Sequence, residues 1–466
     1  MQGFSSAPVS EGPLPEIPAS GMRKIWTWAV LIAVGGFLFG FDTGVISGAL
    51  LFIKHDFDLN DFEQGSVVSV LVLGAMAGAL GSGRLADRLG RRRLLGLEGL
   101  VFLIGTAIAV FSTGYWTLIL GRLLLGLAVG ASSATVPPYL SEISPTRIRG
   151  RVLTLNQLMI TVGILVAYLV NLVFAGGGDW RGMIAVGAVP ALVIVVSALW
   201  VLPESPQWLL ARGEHGRARD LIASVSDRDT ADRVVERLDR TASEARGPRR
   251  AGGRHVLLAR RVRPALIVGL VLAAAQQFAG INTIIYYAPT IIERTGLTAS
   301  NAIFYSIAIG LINLAMTLVA IRLIDRAGRR ALLLVSFGVM AVTMLLLGLA
   351  FVVGLNSVLA LAIMVLYIAG YAVGVGPVFW TLIGEIFPPD AKSTGSAAST
   401  AVNWAANFAV SLVFLPLAGA IGEGQTFWIF AVVSAAGFLF ALRYIPETKD
   451  RDFGEVESDM RARFGT

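Results

Sequence analysis

Two ionisable side chains stand where the surrounding sequence is almost wholly apolar. Asp42 lies within GGFLFGFDTGVISGALL and Arg122 within YWTLILGRLLLGLAVG. A charged group in such a setting is expensive to bury and is a functional candidate by default. Burial disfavours an ionised carboxyl, whereas a neighbouring guanidinium favours it. A movement that parts the two would therefore load a proton onto Asp42, and the chemistry this pattern permits is a proton switch. A static salt bridge is the alternative, but apolar packing commonly stabilises as much as a buried pair does. Other chemistries are excluded by composition. The chain has no cysteine, which removes disulfides, thiolate metal sites and thiol nucleophiles. Its histidines, His55, His215 and His255, are dispersed through polar connections, so no metal site is expected. No nucleophile–base pair lies inside an apolar segment, so an enzyme is not expected either.

These residues need elements to hold them, and the composition says which. Of 466 residues, 55% are apolar and only 15% are charged. Soluble domains carry about 25% charged residues. A water-soluble fold of this size could not hide so much apolar surface, so an all-α integral membrane protein is expected. Twelve apolar segments, near 26–53, 65–83, 94–112, 116–139, 152–176, 183–202, 264–292, 300–322, 331–353, 357–383, 396–420 and 425–445, are each long enough to cross a bilayer as a helix. The net charge of +7 does not point to nucleic acid, because the cations sit between apolar segments, on one side of the predicted topology. Connections after even-numbered segments carry Arg84, Arg88, Arg91–Arg93, Arg147, Arg149, Arg151, Arg322, Arg326, Arg329 and Arg330. The others carry only Lys54, Arg181 and Arg294, so both termini are expected to be cytoplasmic. Asp42 then lies about 18 Å before Lys54 and Arg122 about 9 Å past Trp116, which puts both in the outer half of the bilayer. Scarce lysine beside abundant arginine points to a GC-rich bacterial genome, and the expected location is the plasma membrane.

The organisation is a duplication. Residues 1–21 read as a disordered tail, 22–203 as a six-helix bundle, 204–263 as a cytoplasmic helical linker, 264–446 as a second bundle and 447–466 as a cytoplasmic tail. GRLADRLGRRRLL (83–95) is echoed by IRLIDRAGRRALL (321–333), and SEISPTRIRG (141–150) by GEIFPPDAKS (384–393). LPESPQ (202–207) is echoed by IPETKD (445–450). Two parallel repeats of this kind place a binding site between them near the midplane. The repeated charges, Asp87, Arg88, Arg91, Glu142, Arg149 and Glu204 against Asp325, Arg326, Arg329, Glu385, Lys392 and Glu447, suggest a network that holds the cytoplasmic side closed in one state. Plain positive-inside anchoring does not require the same spacing twice. Gly374, Gly376 and Pro377 weaken the tenth segment just before Trp380, so a gating bend is expected there.

GRLADRLGRR, PESPQWL, QQFAGIN, GPVFW and PETK together resemble the sugar porter branch of the major facilitator superfamily, over essentially all of 35–449. The resemblance implies twelve helices, cytoplasmic helices after the sixth, and a central sugar site. Matched position by position, it implies that Gln157, Gln276, Gln277, Asn282, Asn313 and Trp380 bind sugar, with Asn403 and Trp404 matching more weakly. Tyr286 and Phe37 are further lining candidates. Amide groups and indole faces suit a ligand of hydroxyls and C–H faces. Proton-coupled members carry an aspartate at the position of Asp42, where animal facilitators carry asparagine. Lys392 departs from the usual arginine and lacks its bidentate fork. Asp450 replaces a usual glycine, and Ile164 stands where some pentose porters have glutamine.

The expected function is proton-coupled uptake of a monosaccharide or cyclic polyol by alternating access. A proton-independent facilitator is the nearest rival, and a sugar sensor that moves nothing is a more distant one. No cofactor, metal or nucleic-acid partner is expected, only substrate, proton and bilayer, and a single chain should suffice.

Overall fold

The computed structural model describes residues 19–245, 259–354, 356–388, 391–451 and 453–465, without the side chains of Ala19, Ser20, Thr146, Asp325, Ser393, Phe453 and 240–245. Most of the expected N-terminal tail, and residues 246–258 of the linker, lie outside the described residues; Ala19–Gly21 already belong to the first helix. Every described element is a helix. The first half comprises α1 (Ala19–Asp56), α2 (Asp61–Leu89), α3 (Arg91–Val110), α4 (Tyr115–Ile143), α5 (Thr146–Ala175), and the pair α6 (Trp180–Ala185) and α7 (Ala188–Trp200). Three short helices follow, α8 (Pro206–Ala211), α9 (His215–Ala223) and α10 (Arg228–Ala245). The second half comprises α11 (Arg263–Phe278), α12 (Ile281–Glu293), α13 (Ala299–Ala327), α14 (Arg329–Val353), α15 (Ser357–Val373), α16 (Val375–Glu385), α17 (Lys392–Ile421) and α18 (Glu423–Tyr444). Helix α19 (Phe453–Phe464) closes the chain where the sequence reading has only a tail.

Twelve of these helices or helix pairs are long and apolar enough to span a bilayer. Polar caps mark several starts. Asn60 and Glu63 exchange bonds in a capping box at α2. Thr298 and Asn356 accept from the third residues of α13 and α15. In the linker, the Asp227 carboxylate accepts from the Thr230 amide at 2.8 Å and hydroxyl at 2.9 Å. Those bonds hold the exposed Asp227 carboxyl below its ordinary range.

Three spans are broken. The expected bend in the tenth falls at Gly374, between α15 and α16. The seventh breaks between α11 and α12 at Gly280, whose φ of 95° is left-handed backbone that glycine tolerates. The sequence reading has this span as continuous over 264–292. The sixth is likewise broken, between α6 and α7.

Helices within a half approach closely through small residues, the usual route to helix packing in a membrane. A Cβ on Gly40 of α1 would fall 1.8 Å from the Ile160 carbonyl oxygen of α5. One on Gly130 of α4 would fall 2.0 Å from that of Ala75 in α2. These contacts pin α1 to α5 and α2 to α4, and so set Asp42 and Arg122 opposite each other. The halves meet where α2 lies on α17, α5 on α13 and α1 on α12.

Candidate functional site

The two charges found inside apolar segments do meet. Arg122 Nη1 donates to both Asp42 oxygens, at 2.8 and 2.9 Å, and Nε donates to the Val67 carbonyl of α2 at 3.1 Å. Both side chains are buried. The guanidinium is thus held by α1 and α2 together, and the carboxylate has a charged partner in place of water. Tyr286, a lining candidate on α12 of the other half, is buried between Asn407 and Thr43 and close enough to feel both charges.

A second cluster lies across the breaks in the seventh and tenth spans. Gln276 Nε2 donates to the Val375 carbonyl at 3.1 Å, and Asn403 Nδ2 donates to Gln276 Oε1 at 2.5 Å. Gln277 Nε2 donates to Asn403 Oδ1 at 3.1 Å, and Asn282 Nδ2 donates to Gln277 Oε1 at 2.7 Å. Gln276, Gln277, Asn282 and Asn403 therefore form one amide chain on α11, α12 and α17. Because Gly280 interrupts the helix, Asn282 returns to Gln277 and ends the chain. Such a chain presents donors and acceptors that a polyhydroxylated ligand can exchange for its own.

The other expected lining residues are not in that chain. Gln157 is exposed on α5, Asn313 is buried on α13, and Trp380 is half-buried against Phe379. Trp404 packs on Phe39, Val72 and Ala75 of the first half.

The repeated charge motifs form two equivalent clusters. In the first half, Glu204 Oε1 accepts from the backbone amides of Arg91 at 2.8 Å and Arg92 at 3.2 Å. The Arg91 guanidinium forks onto Glu142 at 3.0 Å and reaches the exposed Asp87 at 3.5 Å. In the second half, Glu447 accepts from the amides of Arg329 at 2.8 Å and Arg330 at 3.2 Å, and Arg329 pairs with Glu385 at 3.1 Å. Each cluster ties helix ends within its own half. The halves are instead fastened at the opposite ends of the spans, by Lys54–Glu293 at 2.6 Å, Arg294–Asp61 at 3.8 Å and the Tyr168 hydroxyl on the Ile285 carbonyl at 2.9 Å.

Other members of the expected network stand apart. Arg149 only reaches the Ser144 carbonyl, at 3.4 Å. Arg88 and Arg326 have exposed side chains, and their carbonyls accept from Arg212 and Lys449. Lys392 is half-buried, and the Asp325 side chain lies outside the described residues. Gly376 and Pro377 fall in the first turn of α16, just past the break.

Sequence reasoning finds two ionisable residues inside helices, and the structure adds a third. Glu98 is buried in α3, with Oε1 accepting from the Thr135 hydroxyl at 2.7 Å. It lies four residues inside the third expected span, 94–112, and the sequence reading does not single it out.

Two six-helix halves, a buried acid–base pair in one and a chain of amides across the broken spans of the other, define a membrane transporter of the alternating-access class. The chain belongs to the sugar (and other) transporter family, whose model matches residues 28–460. It is 37% identical over 456 residues to the D-xylose transporter of Levilactobacillus brevis, covering 95% of this chain and 98% of that one. It is 38% identical over 455 residues to the galactose-proton symporter of Escherichia coli (strain K12), covering 96% and 97%. The partially occluded inward open conformation of the xylose transporter XylE from E. coli matches with a TM-score of 0.81 at 28% identity, covering 92% of this chain and all of that chain. The chain is a multi-pass membrane protein with bacterial sugar transporters as relatives.

Proposed function

We propose that the protein takes up a monosaccharide, a hexose or pentose, or a cyclic polyol together with a proton across a bacterial plasma membrane, with both termini cytoplasmic. The observation that carries this reading is the buried Asp42–Arg122 pair in one half, together with an amide chain on a broken span of the other. Asp42 and Arg122 exchange the proton; Gln157, Gln276, Gln277, Asn282, Asn313, Trp380, Asn403 and Trp404 contact the sugar. The relatives' names, a galactose-proton symporter and a D-xylose transporter, support the substrate class. An inward-facing state is supported by the ion pairs that join the halves on the side away from the termini, while the Arg91 and Arg329 clusters stay within their halves. One chain carries both ligand sites, so the monomer is the working unit.

In the cycle, protonation of Asp42 weakens its hold on Arg122, and Tyr286 passes the change to α12. Sugar replaces amide–amide bonds with amide–hydroxyl bonds, and the halves rock about the α2–α17 and α5–α13 contacts. The test is external pH on adding sugars to de-energised cells that express the protein, with Asp42→Asn alongside. Alkalinisation with one sugar, absent in Asp42→Asn although that variant still exchanges labelled sugar, is the expected result. Equilibration of labelled sugar with no pH change in either version would make the protein a facilitator.

A further inference from the structure

Glu98 is a carboxyl that this transport cycle leaves unused. It sits in α3 at 4% exposure, and only Oε1 has a partner, the Thr135 hydroxyl. Among the described residues Oε2 is buried with no hydrogen-bond partner, and so is the Ser132 hydroxyl one turn earlier on α4. Both residues line one cavity with Leu38 of α1, Val129 of α4 and Ile194 of α7. The cavity's volume of about 10 Å³ is at the lower limit for holding one water molecule, whose hydrogen bonds would serve the two orphan atoms.

The helices packed on Glu98 bring no charge to its level. Leu38 faces it from α1, Ala128, Val129, Ser132 and Thr135 from α4, and Ile194 from α7. The titratable groups of those helices and of α2 are displaced along their axes. Arg91, Arg92, Glu142, Arg84, Asp87 and Arg88 lie toward the termini, with Arg91 about 10 Å away along α3. Asp42, Arg122, Asp61, Glu63 and Arg181 lie toward the opposite side. A carboxylate here would be a buried charge without a counter-ion, so the group is held as the neutral acid. Stability does not call for an acid at this site, because leucine would fill it without a stranded oxygen.

Its place in the bundle supplies a use. Along α4 the order is Arg122, then Thr135, then Glu142, and on α1 the cavity-lining Leu38 is one turn, about 6 Å, from Asp42. We propose that Glu98 is a second proton-binding residue of the transport cycle, standing between the Asp42–Arg122 pair and the terminal side of the membrane. This rests on the proton-symport reading and extends it. In the step, the neutral acid of Glu98 gives its proton to water on the terminal side, the carboxylate so formed takes a proton from the cavity water, and the acid form of Asp42 restores that water. Only O–H bonds form and break.

The experiment uses the purified full chain in liposomes, with xylose and galactose as probes, reading sugar-driven proton influx and sugar counterflow separately. Glu98→Gln keeps the side-chain shape but cannot release a proton. It should lower proton influx by at least about tenfold, as loss of a proton-transferring group does, while counterflow stays within about twofold. Glu98→Asp should restore part of the influx, which a purely structural role would not predict. Influx and pH profile in Glu98→Gln equal to wild type would overturn the proposal. Should Glu98→Gln not fold, Ser132→Ala is read instead, together with the infrared carboxyl band of the wild type after a pH step. Slowed influx and a responding band support the proposal; unchanged influx and a silent band overturn it. A wild type that equilibrates sugar with no proton influx would sink the symport reading instead, so the two failures are distinct.

Discussion

Arg122 does more than neutralise Asp42. Its three donated bonds reach α1 and α2, so the pair joins helices as well as charges. Arg122→Ala would leave a buried carboxylate with neither cation nor water. It should destabilise the protein by about 3–5 kcal/mol, the usual result of breaking one side of a buried pair, and a thermal unfolding scan would read the loss. Gln277 is the middle member of the amide chain, donating to Asn403 and accepting from Asn282. Gln277→Ala should weaken sugar binding by roughly tenfold, about one to two hydrogen bonds' worth. Quenching of tryptophan fluorescence on sugar titration would measure it, and an unchanged affinity would remove Gln277 from the site.

The helices that carry these residues depend on where they stop and how closely they pass. Gly280 ends α11 with left-handed backbone, and a Cβ there would sit 2.7 Å from the Phe430 ring. Gly280→Ala combines strain of about 1–2 kcal/mol with that clash. It should slow counterflow and misplace Asn282, whereas counterflow at the wild-type rate would show the break to be passive. Gly40 is less forgiving, because the atom it meets is the backbone oxygen of Ile160 and no side chain can move aside. Gly40→Ala should abolish monodisperse protein on size exclusion. The break at Gly374 was readable because proline and two glycines stand together. The break at Gly280 was not, because a lone glycine in an apolar run looks like any small packing residue.

At the scale of the whole molecule, the balance between inward- and outward-facing states rests on a few contacts between halves. Lys54–Glu293 and Arg294–Asp61 brace one side, and the Tyr168 hydroxyl adds an uncharged link. Replacing Lys54 and Arg294 by glutamine should move the population toward the other state by about threefold to tenfold, since such partly exposed pairs contribute roughly 0–1 kcal/mol each. The chain has no cysteine, so spin labels on two introduced cysteines would report the distance across that side without background. An unchanged distance distribution would mean that apolar contacts alone, such as Trp404 on Val72 and Ala75, set the balance.

Much of this was legible in one dimension. Apolar runs of bilayer length imposed the spans, because unpaired backbone polar groups cannot be left in lipid. Asp42 and Arg122 were conspicuous because charge inside such runs is rare, and the duplicated Arg-Glu spacing was visible as text. What needed the third dimension was everything set by a neighbour remote in sequence. Trp404 turns to the first half while Asn403 beside it joins the amide chain, since adjacent helical residues point about 100° apart. The repeated arginines bind acids of their own half, a choice made by helix ends and not by spacing. Glu98 passes without notice near the start of the third span until Thr135, Ser132 and a small cavity are seen around it. Burial is a property of packing, and packing is decided only when the helices meet.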